Sequence, residues 1–199
     1  MMVLVACEES QAVTIAFRER GHEAYSCDIQ NCSGGHPEWH IKDNVLDHLN
    51  DGWDMMIAHP PCTYLCVAGL HYSKKDPMRM RLTELASDFF LQLYQAKIDK
   101  ICIENPVGFM NTTFKKPSQI IEPFMFGVSE RKKTCLWLLG LPVLLPITNL
   151  KPEPIKTIIR KSGSKAGQKY NYYWRQGKSS KERSKTFQCI AQAMAHQWI

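Results

Sequence analysis

Trp53-Asp54-Met55-Met56-Ile57-Ala58 runs through His59 into Pro60-Pro61-Cys62, and Lys100-Ile101-Cys102-Ile103 runs directly into Glu104-Asn105-Pro106. Each apolar run is short and bounded by turn formers, the pattern of a buried strand. Proline fixes φ and cannot extend a sheet, so the first string leaves the Cys62 thiol outside its strand. A cysteine and a carboxylic acid then both emerge at carboxyl ends of strands, the rim at which open α/β sheets place ligands and chemistry. A thiol with an acid partner is a recognisable nucleophilic pair.

Strand and helix signals alternate on either side of these strings. Strands are predicted over Met2–Ala6, Glu23–Cys27, Asp54–Ala58, Lys100–Ile103 and Thr134–Leu138. Helices are predicted over Gln11–Arg20, Arg79–Ala96, Ser118–Glu122 and Glu182–Trp198, with a short segment near Ile41 and a helical turn at Val45–Leu49. Leu82, Leu85, Ala86, Phe89, Phe90 and Leu93 recur at helical spacing, and Phe187, Ile190, Ala191, Met194 and Trp198 share one face of the last helix. Such alternation predicts an α/β chain with a doubly wound, mostly parallel sheet in a single domain.

The 199 residues, 44% hydrophobic and 22% charged, suit one domain with a real core. The longest apolar stretch, Leu136 to Leu145, is too short to span a membrane and holds Gly140 and Pro142. The N-terminus lacks a signal-peptide pattern and reads better as a first strand. Eight cysteines accompany no secretion signal, so the thiols are expected to be reduced and the protein cytoplasmic. Cys27-x4-Cys32, His36, His40 and Cys62-x3-Cys66 include no Cys-x2-Cys pair, so no metal is expected. His59 reads as a pocket-lining residue. Charge is uneven: residues 151 to 185 hold eleven Lys or Arg against two acids, a net of +9, and the remaining 14 basic and 17 acidic residues give −3. A basic segment on a near-neutral body suits contact with polyphosphate.

Taken together, Pro60-Pro61-Cys62 and Glu104-Asn105-Pro106-Val107-Gly108 resemble the cytosine-C5 DNA methyltransferase family. Its nucleophile lies in a Pro-Cys motif and its acid in a Glu-Asn motif on the following strand. A third element, a basic pair on the next strand, is matched by Ser129-Glu130-Arg131-Lys132-Lys133-Thr134, with Arg131 and Lys133 alternating onto one face. The resemblance covers roughly residues 1 to 140. It implies a Rossmann-like S-adenosylmethionine-dependent methyltransferase fold, DNA as partner, and catalytic roles for Cys62, Glu104, Arg131 and Lys133. Cys62 as thiolate would add at C6 of cytosine while Glu104 hydrogen-bonds or protonates N3, and C5 then takes the methyl group. A free cysteine has a pKa near ~8.5, so a cation such as Arg131 would favour the thiolate. The base, stacked in a duplex, must be flipped out.

For the donor, the resemblance implies a cradle of Cys7, Glu8, Ser10, Asp28, Ile29, Asp43 and Pro60. Asp28, at the end of the second strand, would grip ribose hydroxyls, Ile29 would pack against adenine, and Asp43 would reach its amino group. Ser10 could cap the following helix, and Glu8 or Glu9 could contact the donor's amino group. The family's first loop is glycine-rich, whereas this chain has Ala6-Cys7-Glu8-Glu9-Ser10-Gln11, so its backbone is expected to approach a ligand less closely.

The chain is expected to divide into a catalytic core at 1–140, a short basic and aromatic insert at 141–181, and a helix at 182–199 that returns to the core. In place of the family's large recognition domain, about forty residues separate Leu141 from Ser180. Tyr172, Trp174 and Arg175 there, with Asn105 at the strand end, are the candidate substrate contacts; aromatics among cations suit base stacking and phosphate neutralisation. This brevity suggests a phage-borne enzyme. Two alternatives stay open: a cytosine-modifying enzyme acting on single-stranded DNA or a free nucleotide, including one with a modified donor, and a catalytically silent DNA-binding module on the same fold.

Overall fold

A computed structural model describes residues 1–148, 152–154, 156–172 and 184–199 of the protein. The two central strands, Met2–Ala6 and Met55–Ala58, form where apolar residues run without interruption. Strand β1 (Met2–Ala6), β2 (Glu23–Cys27), β4 (Met55–Ala58) and β5 (Lys100–Pro106) are parallel to one another, with the two-residue β3 (His40–Ile41) beside β2. Val3 to Ala6, Met55 to Ala58 and Ile101 to Ile103 are fully buried, as strands covered on both faces must be. Strand β6 (Gln119–Ile121) and β7 (Thr134–Leu139) complete a seven-stranded sheet in the order β3-β2-β1-β4-β5-β7-β6, with β7 antiparallel to both neighbours. The doubly wound, mostly parallel, Rossmann-like sheet predicted from the sequence is thus present in a single domain.

Alternation along the strands sorts the core into two layers. Val3, Val5, Met55 and Ile57 face α1 (Ala12–Arg18) and the C-terminal helix, meeting Phe17, Ile190, Met194 and Trp198. Leu4, Met56, Ile101 and Ile103 face the other way, against Phe90 and Leu93 of α3 (Pro77–Tyr94) and Trp137 of β7. A short helix α2 (Val67–Ser73), unseen in the sequence, packs on the first turns of α3, where the Thr83 hydroxyl meets that of Ser73 at 2.9 Å. Leu85, assigned to the buried stripe, is 48% exposed, because the buried face of α3 runs through Thr83, Phe90 and Leu93 and Leu85 lies off it.

Most boundaries shift by one or two residues, and three elements differ by more. The strand predicted to stop at Ile103 continues through Glu104, Asn105 and Pro106, because β7 supplies partners opposite them in Leu136, Cys135 and Thr134. The helix predicted at Ser118–Glu122 is instead the edge strand β6; Ile120 and Ile121 find a ladder on β7, and tertiary pairing overrides local preference. After α4 (Met110–Thr113), the last helix α5 spans Gln188–Gln197 and buries Ile190, Ala191, Met194 and the adjoining Trp198 as expected. Residues 182 and 183 of its predicted start lie outside the described residues. Within the predicted insert, β8 (Lys156–Ile159) and β9 (Lys169–Tyr172) pair as an antiparallel hairpin carrying Lys156, Arg160, Lys161, Lys165 and Lys169. No helix among the described residues is long and apolar enough to cross a membrane.

Candidate active site

Strand register builds the site. Ala6 lies opposite Cys27 on one side and Ala58 on the other, and Ala58 lies opposite Ile103. The next residue on each strand is therefore Asp28, Cys7, His59 and Glu104, a row of four along the carboxyl rim. The strand order reverses between β1 and β4, which puts the crevice of a doubly wound sheet between Cys7 and His59.

Two prolines carry the chain from His59 to Cys62, and their loop is bound to the end of β5. The Asn105 side-chain amide donates to the Pro60 carbonyl at 2.9 Å. Beyond it, Phe109 N–H donates to the Leu65 carbonyl at 2.7 Å, Val67 N–H to the Val107 carbonyl at 3.3 Å, and Cys66 bridges Gly108. This close approach requires glycine at 108, where a Cβ would stand 1.9 Å from the Leu65 carbonyl oxygen. Asn105, 2% exposed, thus ties the Cys62 loop to the end of β5.

Glu104 is 14% exposed, and its carboxylate lies 2.5 Å from Nδ1 of His59, itself 12% exposed. Burial alone would push the Glu104 carboxyl up; the His59 bond and charge, the Lys132 charge and the Thr134 hydroxyl overcome it and hold the carboxyl down to about 2. Burial likewise disfavours the His59 cation, but Glu104 and the more distant Glu8 outweigh it, with Lys132 opposing, and the imidazole is raised above its ordinary value. Glu104 is therefore a carboxylate at neutral pH. The Cys62 thiol is pushed up, first by burial and then by Cys66 and Glu104, with Lys132 pulling it down.

The Lys132 charge reaches Cys62, His59 and Glu104, so of the three consecutive basic residues 131 to 133 it is the one that acts on this group. Arg131 instead grips the Glu122 carboxylate through Nε at 3.0 Å and Nη2 at 2.8 Å, and the Lys133 charge is felt by Cys135. Residues 131 to 133 precede the strand, so strand alternation does not assign their faces. Thr134, the first residue of β7, reaches Glu104.

On the donor side of the crevice, Cys7 turns the chain with φ of 59°, a left-handed conformation that glycine normally supplies. The chain thus makes the turn without glycine, and Gln11 repeats the conformation, also with φ of 59°. Burial, reinforced by Asp28 and Cys27, pushes the Cys7 thiol up. The Asp28 carboxylate accepts from Gln30 N–H at 2.9 Å, and beside it Ile29 is 75% exposed, an apolar shelf at the rim. Asp43 accepts from Asn44 N–H at 2.7 Å and faces His48 Nε2 at 3.3 Å; these bonds hold its carboxyl below the usual range. Pro60 is buried under the Cys62 loop.

Glu8 takes the capping role expected of Ser10. Glu8 is 3% exposed and caps α1, accepting from Val13 N–H at 2.7 Å, Thr14 N–H at 3.2 Å and the Thr14 hydroxyl at 2.8 Å. Its oxygens are spent on the helix, so they do not stand free for a ligand, and Ser10 is not the cap. Truncating Glu8 to alanine leaves two buried N–H groups without acceptors, so Glu8→Ala is expected to lower unfolding free energy by about 2–3 kcal/mol, read from the urea midpoint at constant slope.

Tyr172 ends β9, while Trp174 and Arg175 lie outside the described residues. Among the described residues no group of three His, Cys, Asp or Glu could hold a metal ion. Lys132, Thr134 and Gly108 stand in the quoted motifs without an assigned role, and His59, read as a pocket-lining residue, proves to be the hydrogen-bond partner of Glu104. The signal for His59 was its place one residue past a strand, level with Glu104.

No protein-family model and no curated protein matches the chain. Among solved structures, it is similar to a prophage-encoded E. coli protein provisionally designated a DNA modification methyltransferase, with 13% identity and a TM-score of 0.49 over 80% of this chain and 56% of the other. It is also similar to the S. pombe Dnmt2 methyltransferase, with 14% identity and a TM-score of 0.48 over 72% of this chain and 50% of the other. The chain spans about half the length of these structures.

Proposed function

We propose that the protein is a DNA cytosine-C5 methyltransferase that works through a covalent adduct between Cys62 and C6 of the base. The observation that carries this reading is the joining of the Cys62 loop to the end of the strand that bears Glu104, through Asn105 to Pro60, Phe109 to Leu65, Val67 to Val107 and the Cys66–Gly108 bridge. Cytosine is a poor nucleophile at C5. Addition of the Cys62 thiolate at C6, with a proton at N3 held by Glu104, places electron density on C5. Lys132 favours the thiolate against burial. Methyl transfer is followed by loss of the C5 proton and departure of Cys62, which restores the ring.

S-adenosylmethionine fits the other half of the crevice. Asp28 offers a carboxylate for ribose hydroxyls and the exposed Ile29 an apolar face for adenine, with Asp43 beyond and Cys7 and Pro60 flanking the switch point. Glu8 and Ser10 contribute to this cradle through the shape of their loop. Bound there, the donor supplies an electrophilic methyl group. The hairpin lysines and Arg160, with Tyr172, Trp174 and Arg175 in the same insert, are the DNA contact in this reading, the core being 1–140 and the returning helix 182–199.

The test is incubation with S-adenosylmethionine and duplex DNA containing 5-fluorocytosine, which cannot lose its C5 substituent and traps the adduct. A covalent complex is expected with the native protein and not with Cys62→Ala. No complex on duplex DNA, single strand or 5-fluoro-dCMP sinks the mechanism. A complex on single strand or nucleotide alone reassigns the substrate, an outcome favoured by the brevity of the insert.

A further inference from the structure

The chemistry just proposed needs a proton at N3 of the base, yet Glu104 at neutral pH is a carboxylate with none to give. The proton at this site resides on its neighbour. His59 Nδ1 lies 2.5 Å from Glu104 Oε2, closer than an ordinary N–H···O bond. The other ring nitrogen, Nε2, is buried with no hydrogen-bond partner among the described residues, so Glu104 is the acceptor this ring has there. The groups that face His59 are Glu104 from β5, Glu8 from the loop after β1 and Lys132 from the segment before β7. Glu104 first and Glu8 after it favour a cationic ring, and Lys132 opposes them. Register enforces the arrangement, since Ala58 opposite Ile103 puts the two side chains one residue beyond a matched pair.

We propose that His59 is the proton reservoir of Glu104, storing on its ring the proton that the Glu104 carboxyl delivers to N3 of the base and taking it back when the base leaves. This rests on the cytosine reading above. The transfer balances: the Nδ1–H bond breaks as an O–H bond forms on Glu104, and that bond breaks as N–H forms at N3. Imidazolium becomes imidazole, the carboxylate is regenerated, and the base carries the added positive charge that draws the Cys62 thiolate to C6. Elimination of Cys62 returns the proton by the same route. His59 acts through Glu104 and positions a proton rather than touching the base.

Two measurements decide the proposal. The first needs no substrate: NMR titration of the 15N-labelled imidazole in the native protein and in Glu104→Gln. His59 is expected to titrate above 6.5 in the native protein and lower in the variant, where Glu8 alone is left to oppose burial and Lys132. Equal values overturn the pairing. The second is tritium release from duplex DNA labelled at cytosine C5, with S-adenosylmethionine present, as a function of pH. The native rate should rise as Cys62 ionises and level off once His59 loses its proton, because one gain cancels the other loss. In His59→Asn, which keeps a donor to Glu104 but holds no transferable proton, the rate should fall about 10²-fold near pH 7 and go on rising until the thiol has ionised. A His59→Asn profile that keeps the native plateau overturns the reservoir while leaving the methyltransferase reading intact. No tritium release from the native protein at any pH overturns that reading and the reservoir with it. If His59→Asn does not fold, a native profile without a break at the NMR titration of His59 is the overturning result.

Discussion

Glu104→Gln is expected to cut methyl transfer by about 10³-fold or more while the protein still folds. Glutamine preserves the shape and one carbonyl oxygen, but it can neither receive a proton from His59 nor hold one at N3. It also removes the partner that keeps the imidazole charged. The stability of the variant carries a pH signature. The Glu104 carboxyl is depressed from 4.5 to about 2, so its contribution is complete above 4.5 and is lost as pH falls toward 2. The His59 value is raised above 6.5, so its contribution is complete below 6.5 and is lost as pH rises through the folded value. The two describe one interaction, whose full strength lies between about pH 4.5 and 6.5. Breaking a buried pair by removing one charge costs about 3–5 kcal/mol. Urea unfolding of both proteins from pH 3 to 9 should show the largest difference inside that window. A difference that is flat across the range means that the pair is not ionised.

Gly108→Ala is the second large effect, and its origin is steric. The new methyl group would stand 1.9 Å from the Leu65 carbonyl oxygen and 2.9 Å from Cys66 Cα, both backbone atoms that cannot rotate away. The loop holding Cys62 must then lift off β5, giving up the Phe109 to Leu65 bond and straining the Asn105 bond to Pro60. A loss of about 3 kcal/mol in stability is expected. Displacing the thiol by about 1 Å from Glu104 would cost a further 10²-fold in adduct formation. Gly163→Ala is the control: its φ of 82° disfavours alanine, but nothing lies within 4 Å of the added carbon. Equal losses in both variants would show that the close approach at Gly108 is not what holds the loop.

The strands were legible because parallel strands buried on both faces leave an unbroken apolar signature. Met2–Ala6 and Met55–Ala58 show it between turn residues, while Glu23–Cys27 carries Glu23 and Ser26. Edge and helix signals were less secure. Gln119–Ile121 took its conformation from β7, and α2 carries Gly69 and too short a stripe to stand out. Cys62 and Glu104 could be found from the residues around them, but the groups that set their charge could not. Register between parallel strands depends on crossovers distant in sequence, so the level meeting of His59 with Glu104 is not written locally. The same holds for Lys132, whose approach to the pair depends on where β7 begins, and for Glu8, which caps α1 from ahead of its N-cap residue Gln11. A left-handed Cys7 could not be foreseen in a residue with a side chain.

The row Asp28, Cys7, His59, Glu104 makes the sheet a measuring rod. Neighbouring strands lie about 4.8 Å apart, so the acid after β2 and the acid at the end of β5 stand three steps, or about 14 Å, from one another. That span is counted in strands and does not depend on side chains or on the length of any connecting loop. Helices and hairpins around the sheet can lengthen, shrink or change composition without altering the interval between the two ends of the crevice. Only adding or removing a strand between β2 and β5 would change it.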